Sequence, residues 1–102
     1  MMKVLLCCTA GVTSNMFAAA IKDEAKERGI EVTVWAAAEI TVEYSIERAD
    51  VVLVTPQLAG SVKKLKDLSN PGTPIVLISQ KDFETFNAKA VLDDAIAKLE
   101  AK

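Results

Sequence analysis

Two adjacent cysteines, Cys7 and Cys8, close an apolar run and open a stretch of small and hydroxyl-bearing residues. A sulfur nucleophile beside a Gly-containing loop and the start of a helix suits a phosphoryl group held on cysteine. The first N–H groups of a helix have no partner within it, and its dipole places partial positive charge there. Gly11 lets consecutive amides turn inward as an anion nest, and Thr9, Thr13 and Ser14 add hydroxyl donors. No carboxylate lies between Cys8 and Asp23 to repel a dianion. Cys8, at the strand end, is the expected nucleophile, with Thr9, Ala10, Gly11, Val12, Thr13, Ser14 and Asn15 as the expected phosphate-binding residues. Cys7, inside the strand, reads as a small buried hydrophobe.

What the loop lacks narrows its chemistry. A cysteine phosphatase places arginine six residues after its cysteine, where it clamps the phosphoryl group bidentately. That position is Ser14 counted from Cys8 and Thr13 counted from Cys7, and the first arginine is Arg28. The chain has no histidine, so the commonest general acid and base of hydrolases is missing. Such a loop is better fitted to hold and pass on a phosphoryl group than to hydrolyse it. Three alternatives stay open at this level: a low-molecular-weight cysteine phosphatase, a thiol redox protein using vicinal Cys7 and Cys8, and an anion-binding module without catalysis.

The chain has 102 residues, 51% of them apolar, which predicts one domain over residues 1–102 with its own core. The net charge of −2 comes from scattered charges of both signs, so no basic patch points to nucleic acid. No apolar run nears the roughly 18 residues of a membrane span, and the opening apolar segment is short for a signal peptide. A cytoplasmic protein without direct membrane insertion is expected. Two cysteines and no histidine make neither a disulfide framework nor a zinc site, and no metal or cofactor is implied.

The elements that must position the loop follow in order. Lys3 to Cys8 reads as a strand buried on both faces. A helix is expected from about Ser14 to Arg28, capped by Thr13 or Ser14 and closed by Gly29. Met16 and Phe17 fit either core or a docking face, and Val12 is the best candidate for partner contact. Glu31 to Ala36 alternates like a half-covered edge strand, with Trp35 as packing. The segment from Ala37 to Arg48 permits a short helix or an irregular crossover. Val51 to Thr55 is a third strand, Pro56 opens a helix to Leu68, and Ile75 to Ser79 is a fourth strand. After a polar connection containing Phe83 and Phe86, Asn87 caps an amphipathic helix with Ala88, Val91, Leu92, Ala95, Ile96 and Leu99 on its apolar face. Strands alternating with helices predict an α/β fold, a parallel sheet with helices on both faces, and ligands at the carboxyl ends of its strands.

The stretch Leu6-Cys7-Cys8-Thr9-Ala10-Gly11-Val12-Thr13-Ser14 resembles the phosphorylation loop of enzyme IIB components of the sugar phosphotransferase system (PTS), lactose/cellobiose (diacetylchitobiose) class. That family typically reads Cys-Ser-Ala-Gly-Met-Ser-Thr-Ser. A second likeness joins Ala49-Asp50-Val51-Val52-Leu53-Val54-Thr55-Pro56-Gln57 to the family's third strand, "ADVVLLGPQ". The resemblance implies an open four-stranded parallel sheet in the order 2-1-3-4. It also implies that Cys8 accepts a phosphoryl group from a phosphohistidine on the IIA component. The acceptor is then a sugar, expected to be a β-linked disaccharide, bound by the membrane component IIC. Thr9 and Asn15 replace Ser, Val12 replaces Met, Thr55 replaces Gly, and Cys7 takes a position usually aromatic or aliphatic. Gln57 is a secondary candidate, because in that sheet order its amide can face the phosphocysteine loop; a surface or capping role is equally open.

Overall fold

Short runs of branched apolar residues build the sheet, and amphipathic segments between them cover it. A computed structural model describes residues 2–8, 12–38 and 41–100, excepting the side chains of residues 12–14. The strands are β1 (Met2–Cys8), β2 (Val32–Ala38), β3 (Val51–Val54) and β4 (Ile75–Leu77). They lie in the order β2-β1-β3-β4, and every pair is parallel. β1 is thus central, with Cys7 beside Ala37 of β2 and Val54 of β3.

Strand alternation sends side chains to opposite faces, and two cores result. On one face Val4, Leu6, Val51 and Leu53 meet Phe17 and Ile21 of α1 (Val12–Glu27) and Val91 and Leu92 of α4 (Ala88–Glu100). On the other, Leu5, Cys7, Val52 and Val54 meet Val42, Ile46, Leu58 and Leu65. These last four come from 3₁₀ turns at Val42–Tyr44, Ile46–Arg48 and Pro56–Ser61, and from α2 (Val62–Leu68). A fourth helix, α3 (Gln80–Glu84), joins β4 to α4.

Several sequence expectations shift by a few residues. Of the two readings open for Ala37 to Arg48, the irregular crossover is nearer: β2 runs to Ala38, and two 3₁₀ turns, Val42–Tyr44 and Ile46–Arg48, follow. The expected Pro56–Leu68 helix begins as 3₁₀ and bends at Leu58, whose φ of −107° and ψ of 21° leave the helical region. β4 ends at Leu77, short of Ser79, because Ser79 instead caps α3 by accepting from the amide of Asp82 at 3.1 Å. The polar connection therefore contains a helix. Trp35 packs as expected, against the second core, and its Nε1 donates to Ser45 Oγ at 3.2 Å. At Asn87, Oδ1 accepts from the amide of Ala90 at 3.3 Å, the expected cap.

α1 is closed by the expected glycine. Gly29 has φ of +73°; its amide donates to Lys26 O at 3.1 Å, and that of Ile30 to Ala25 O at 2.9 Å. This is the Schellman pattern, and Ala25 and Ile30 both join the first core. A Cβ at Gly29 would meet nothing within 4 Å, so only backbone strain opposes a side chain there. Gly29→Ala should lower the unfolding free energy by about 1–2 kcal/mol, read as a lower urea midpoint at unchanged slope.

Candidate functional site at the carboxyl edge of the sheet

Cys8 is the last residue of β1, in register with Ala38 of β2. It is 4% exposed, and its Sγ–H donates to Ala37 O at 3.6 Å. The thiol therefore sits at the carboxyl edge between β2 and β3. α1 begins four positions later, at Val12. The backbone amides of Val12, Thr13 and Ser14 are then the first, second and third of the helix, donors that no intrahelical carbonyl can receive. The expected cap at Thr13 or Ser14 is thus corrected: both lie inside the first turn. Hydroxyl residues mark a helix start only to within a residue or two. The first turn carries no acidic residue, so nothing there offsets the dipole.

Thr9, Ala10 and Gly11 lie outside the described residues, as do the side chains of Val12, Thr13 and Ser14. Asn15 is exposed on α1. Met16 and Phe17, read together in the sequence, separate: Met16 is 55% exposed whereas Phe17 is fully buried. Gln57 is exposed in the 3₁₀ turn that follows β3, beside the central strand. Cys7 is fully buried in the core opposite α1, so strand alternation separates the two thiols.

Thr55, expected as the last residue of the third strand, lies one residue past β3. It is the buried polar residue of the described chain, 1% exposed, and its Oγ1 finds no hydrogen-bond partner among the described residues. The signal available was a threonine closing an otherwise apolar strand.

Both arginines stand away from Cys8. Arg28 follows α1, whose 16 residues at about 1.5 Å each carry it roughly 24 Å along the helix. Its Nε bonds Glu24 at 2.8 Å, its Nη1 bonds Asp93 of α4 at 2.6 Å, and its Nη2 bonds Lys89 O at 3.3 Å. The hydrogen bond to Glu24, then that to Asp93, raise its pKa above the ordinary arginine value. Arg48 precedes β3 and lines a cavity with Lys3 at the amino edge of the sheet.

A doubly wound parallel domain with a cysteine at its carboxyl edge, just before a helix, defines a class of protein. Residues 3–94 match the family described as "PTS system, Lactose/Cellobiose specific IIB subunit", and the chain belongs to that family. It is similar to the cellobiose-specific phosphotransferase IIB component of Borrelia burgdorferi: 36% identity, TM-score 0.79, with 99% of this chain and 94% of that one covered. The oligo-beta-mannoside-specific EIIB component of Bacillus subtilis (strain 168) is 24% identical over 98 residues, 95% of either chain. The lactose-specific IIB domain of Streptococcus pneumoniae shares the fold at 22% identity and TM-score 0.76, with 97% of this chain and 95% of that one covered.

Proposed function

We propose that this chain carries a phosphoryl group on Cys8, between a phosphohistidine of a IIA component and a sugar bound by a IIC component. The observation that carries the reading is a cysteine ending the central strand four positions before the first residue of α1. In the first transfer the thiol loses its proton to solvent, and the thiolate electron pair forms an S–P bond. The N–P bond of the donor breaks, and its electron pair stays on the imidazole. In the second, a sugar hydroxyl loses its proton to a base or water and its oxygen forms an O–P bond. The S–P bond breaks and the thiolate returns. Both steps are in-line displacements, in which positioning and charge stabilisation do most of the work.

In this reading the amides at the start of α1, with the loop from Thr9 to Asn15 and the hydroxyls of Thr9, Thr13 and Ser14, hold the phosphoryl oxygens. Exposed Met16, one turn into the helix, and Val12 supply the docking rim. The protein acts in the cytoplasm; among the described residues no helix is long and apolar enough to cross a membrane. The similar proteins named for cellobiose and oligo-beta-mannosides support a β-linked oligosaccharide as acceptor. A phosphatase reading has less support, because Arg28 is held by Glu24 and Asp93 and Arg48 lies at the other edge.

A reconstituted system tests the function. With phosphorylated IIA and membranes containing IIC, formation of sugar phosphate should require this chain and a thiol at Cys8. Brisk aryl phosphate hydrolysis by the isolated chain, without sugar phosphate formation, would overturn the reading.

A further inference from the structure

We propose that the Thr55 hydroxyl is a ligand of the phosphoryl group on Cys8. The inference rests on the carrier reading above and adds a residue to it. Its starting point is an unpaired polar atom: Thr55 is 1% exposed, and its Oγ1 has no partner among the described residues. A buried hydroxyl without a partner is destabilising, so an explanation for it is sought in a state where a partner is present.

The backbone places this residue beside Cys8. The Thr55 amide donates to Cys7 O at 3.2 Å, continuing the β1–β3 ladder beyond its last pair, Cys7 with Val54. With φ of −69° and ψ of 155°, Thr55 is still extended. One step past that pair, Thr55 and Cys8 are lateral neighbours, on strands about 4.8 Å apart. Alternation then fixes the face. Val51 and Leu53 join Val4 and Leu6 under α1, whereas Val52 and Val54 join Leu5 and Cys7 on the other side. Thr55 and Cys8 both fall on the α1 face, from which the amino terminus of that helix arrives.

On the β3 side of this rim, residues 55 and 56 have few donors to offer. Pro56 has no N–H, and the Thr55 amide is already given to Cys7 O. The hydroxyl is what residues 55 and 56 have left to offer an anion, and it can offer it without disturbing the ladder. Because the hydroxyl has no partner among the described residues and gains one on phosphorylation, its stabilising effect falls on the phosphorylated state. Thr55 therefore pulls the transfer equilibrium toward Cys8 and slows loss of the group to water.

The test uses the full chain and phosphorylated IIA, with the ratio of the two phosphoproteins measured at equilibrium by intact mass. Thr55→Val should shift that ratio toward IIA by about tenfold to a hundredfold, the weight of one hydrogen bond to a charged acceptor, and shorten the phosphocysteine lifetime. The unphosphorylated variant should melt at or above the wild-type temperature, since an unpaired buried hydroxyl has been removed. Thr55→Ser should restore both ratio and lifetime, and Thr55→Ala should repeat the valine result without branched bulk. If wild type is phosphorylated on Cys8 but the valine and alanine variants stay within twofold of it, the proposal fails while the carrier reading stands. A valine variant that melts lower, with serine giving no rescue, would also overturn it, assigning the hydroxyl to structure. Absence of phosphate on wild-type Cys8 would remove the carrier reading itself.

Discussion

Cys8→Ser should abolish phosphoryl acceptance from IIA, whereas Cys7→Ser should largely spare it. Serine keeps the size and position but replaces a thiolate with a hydroxyl, which needs a neighbouring base to become a nucleophile. The chain has no histidine to supply one. Cys7 lies fully buried in the core opposite α1 and has no route to the rim. A hydroxyl at position 7 would cost stability through burial, so acceptance is best read per folded molecule. Transfer of radiolabelled phosphate from IIA makes the comparison. Loss in the Cys7 variant with retention in the Cys8 variant would reverse the assignment.

The largest stability effect is expected from Phe17→Ala. Phe17 is fully buried and touches both aromatic residues of the β4–α4 connection. Its ring lies 5.7 Å from that of Phe83 at an interplanar angle of 11°, and 5.7 Å from that of Phe86 at 60°. Phe86 has φ of 49°, a left-handed conformation unfavourable to a bulky side chain. Its contact with Phe17 helps hold it there. Truncating Phe17 opens a cavity and frees that turn together. A loss of about 3–5 kcal/mol is expected, out of a total typically near 5–15 kcal/mol. Urea denaturation measures it; a loss below about 1 kcal/mol would mean the aromatic cluster does not secure α3 to α1.

Much of this molecule was legible because its signals are local. Buried runs such as Val51–Val54 and the period of α4 announce their elements. Gly29 and Asn87 mark ends whose geometry requires or rewards those residues. The α3 helix was not legible: five residues, none of them buried, give no amphipathic period, and its cap at Ser79 looked like the end of a strand. The bend at Leu58 was hidden for the opposite reason, since a good helical stripe of Leu58, Val62 and Leu65 survives a change from 3₁₀ to α geometry. At the site, a strand-end cysteine before a helix could be read directly. The environment of Thr55 could not, because pairing of its hydroxyl depends on the fold around it.

In the proposed relay, Cys8 holds a phosphoryl group on its way from IIA to a sugar. Intact mass after incubation with phosphorylated IIA tests it most directly, followed by fragmentation under conditions that preserve the S–P bond. The expected result is a gain of one phosphoryl group, mapped to Cys8 and discharged when sugar-loaded IIC is added. A phosphoryl group on any other residue, or no gain from a competent IIA, would contradict the account.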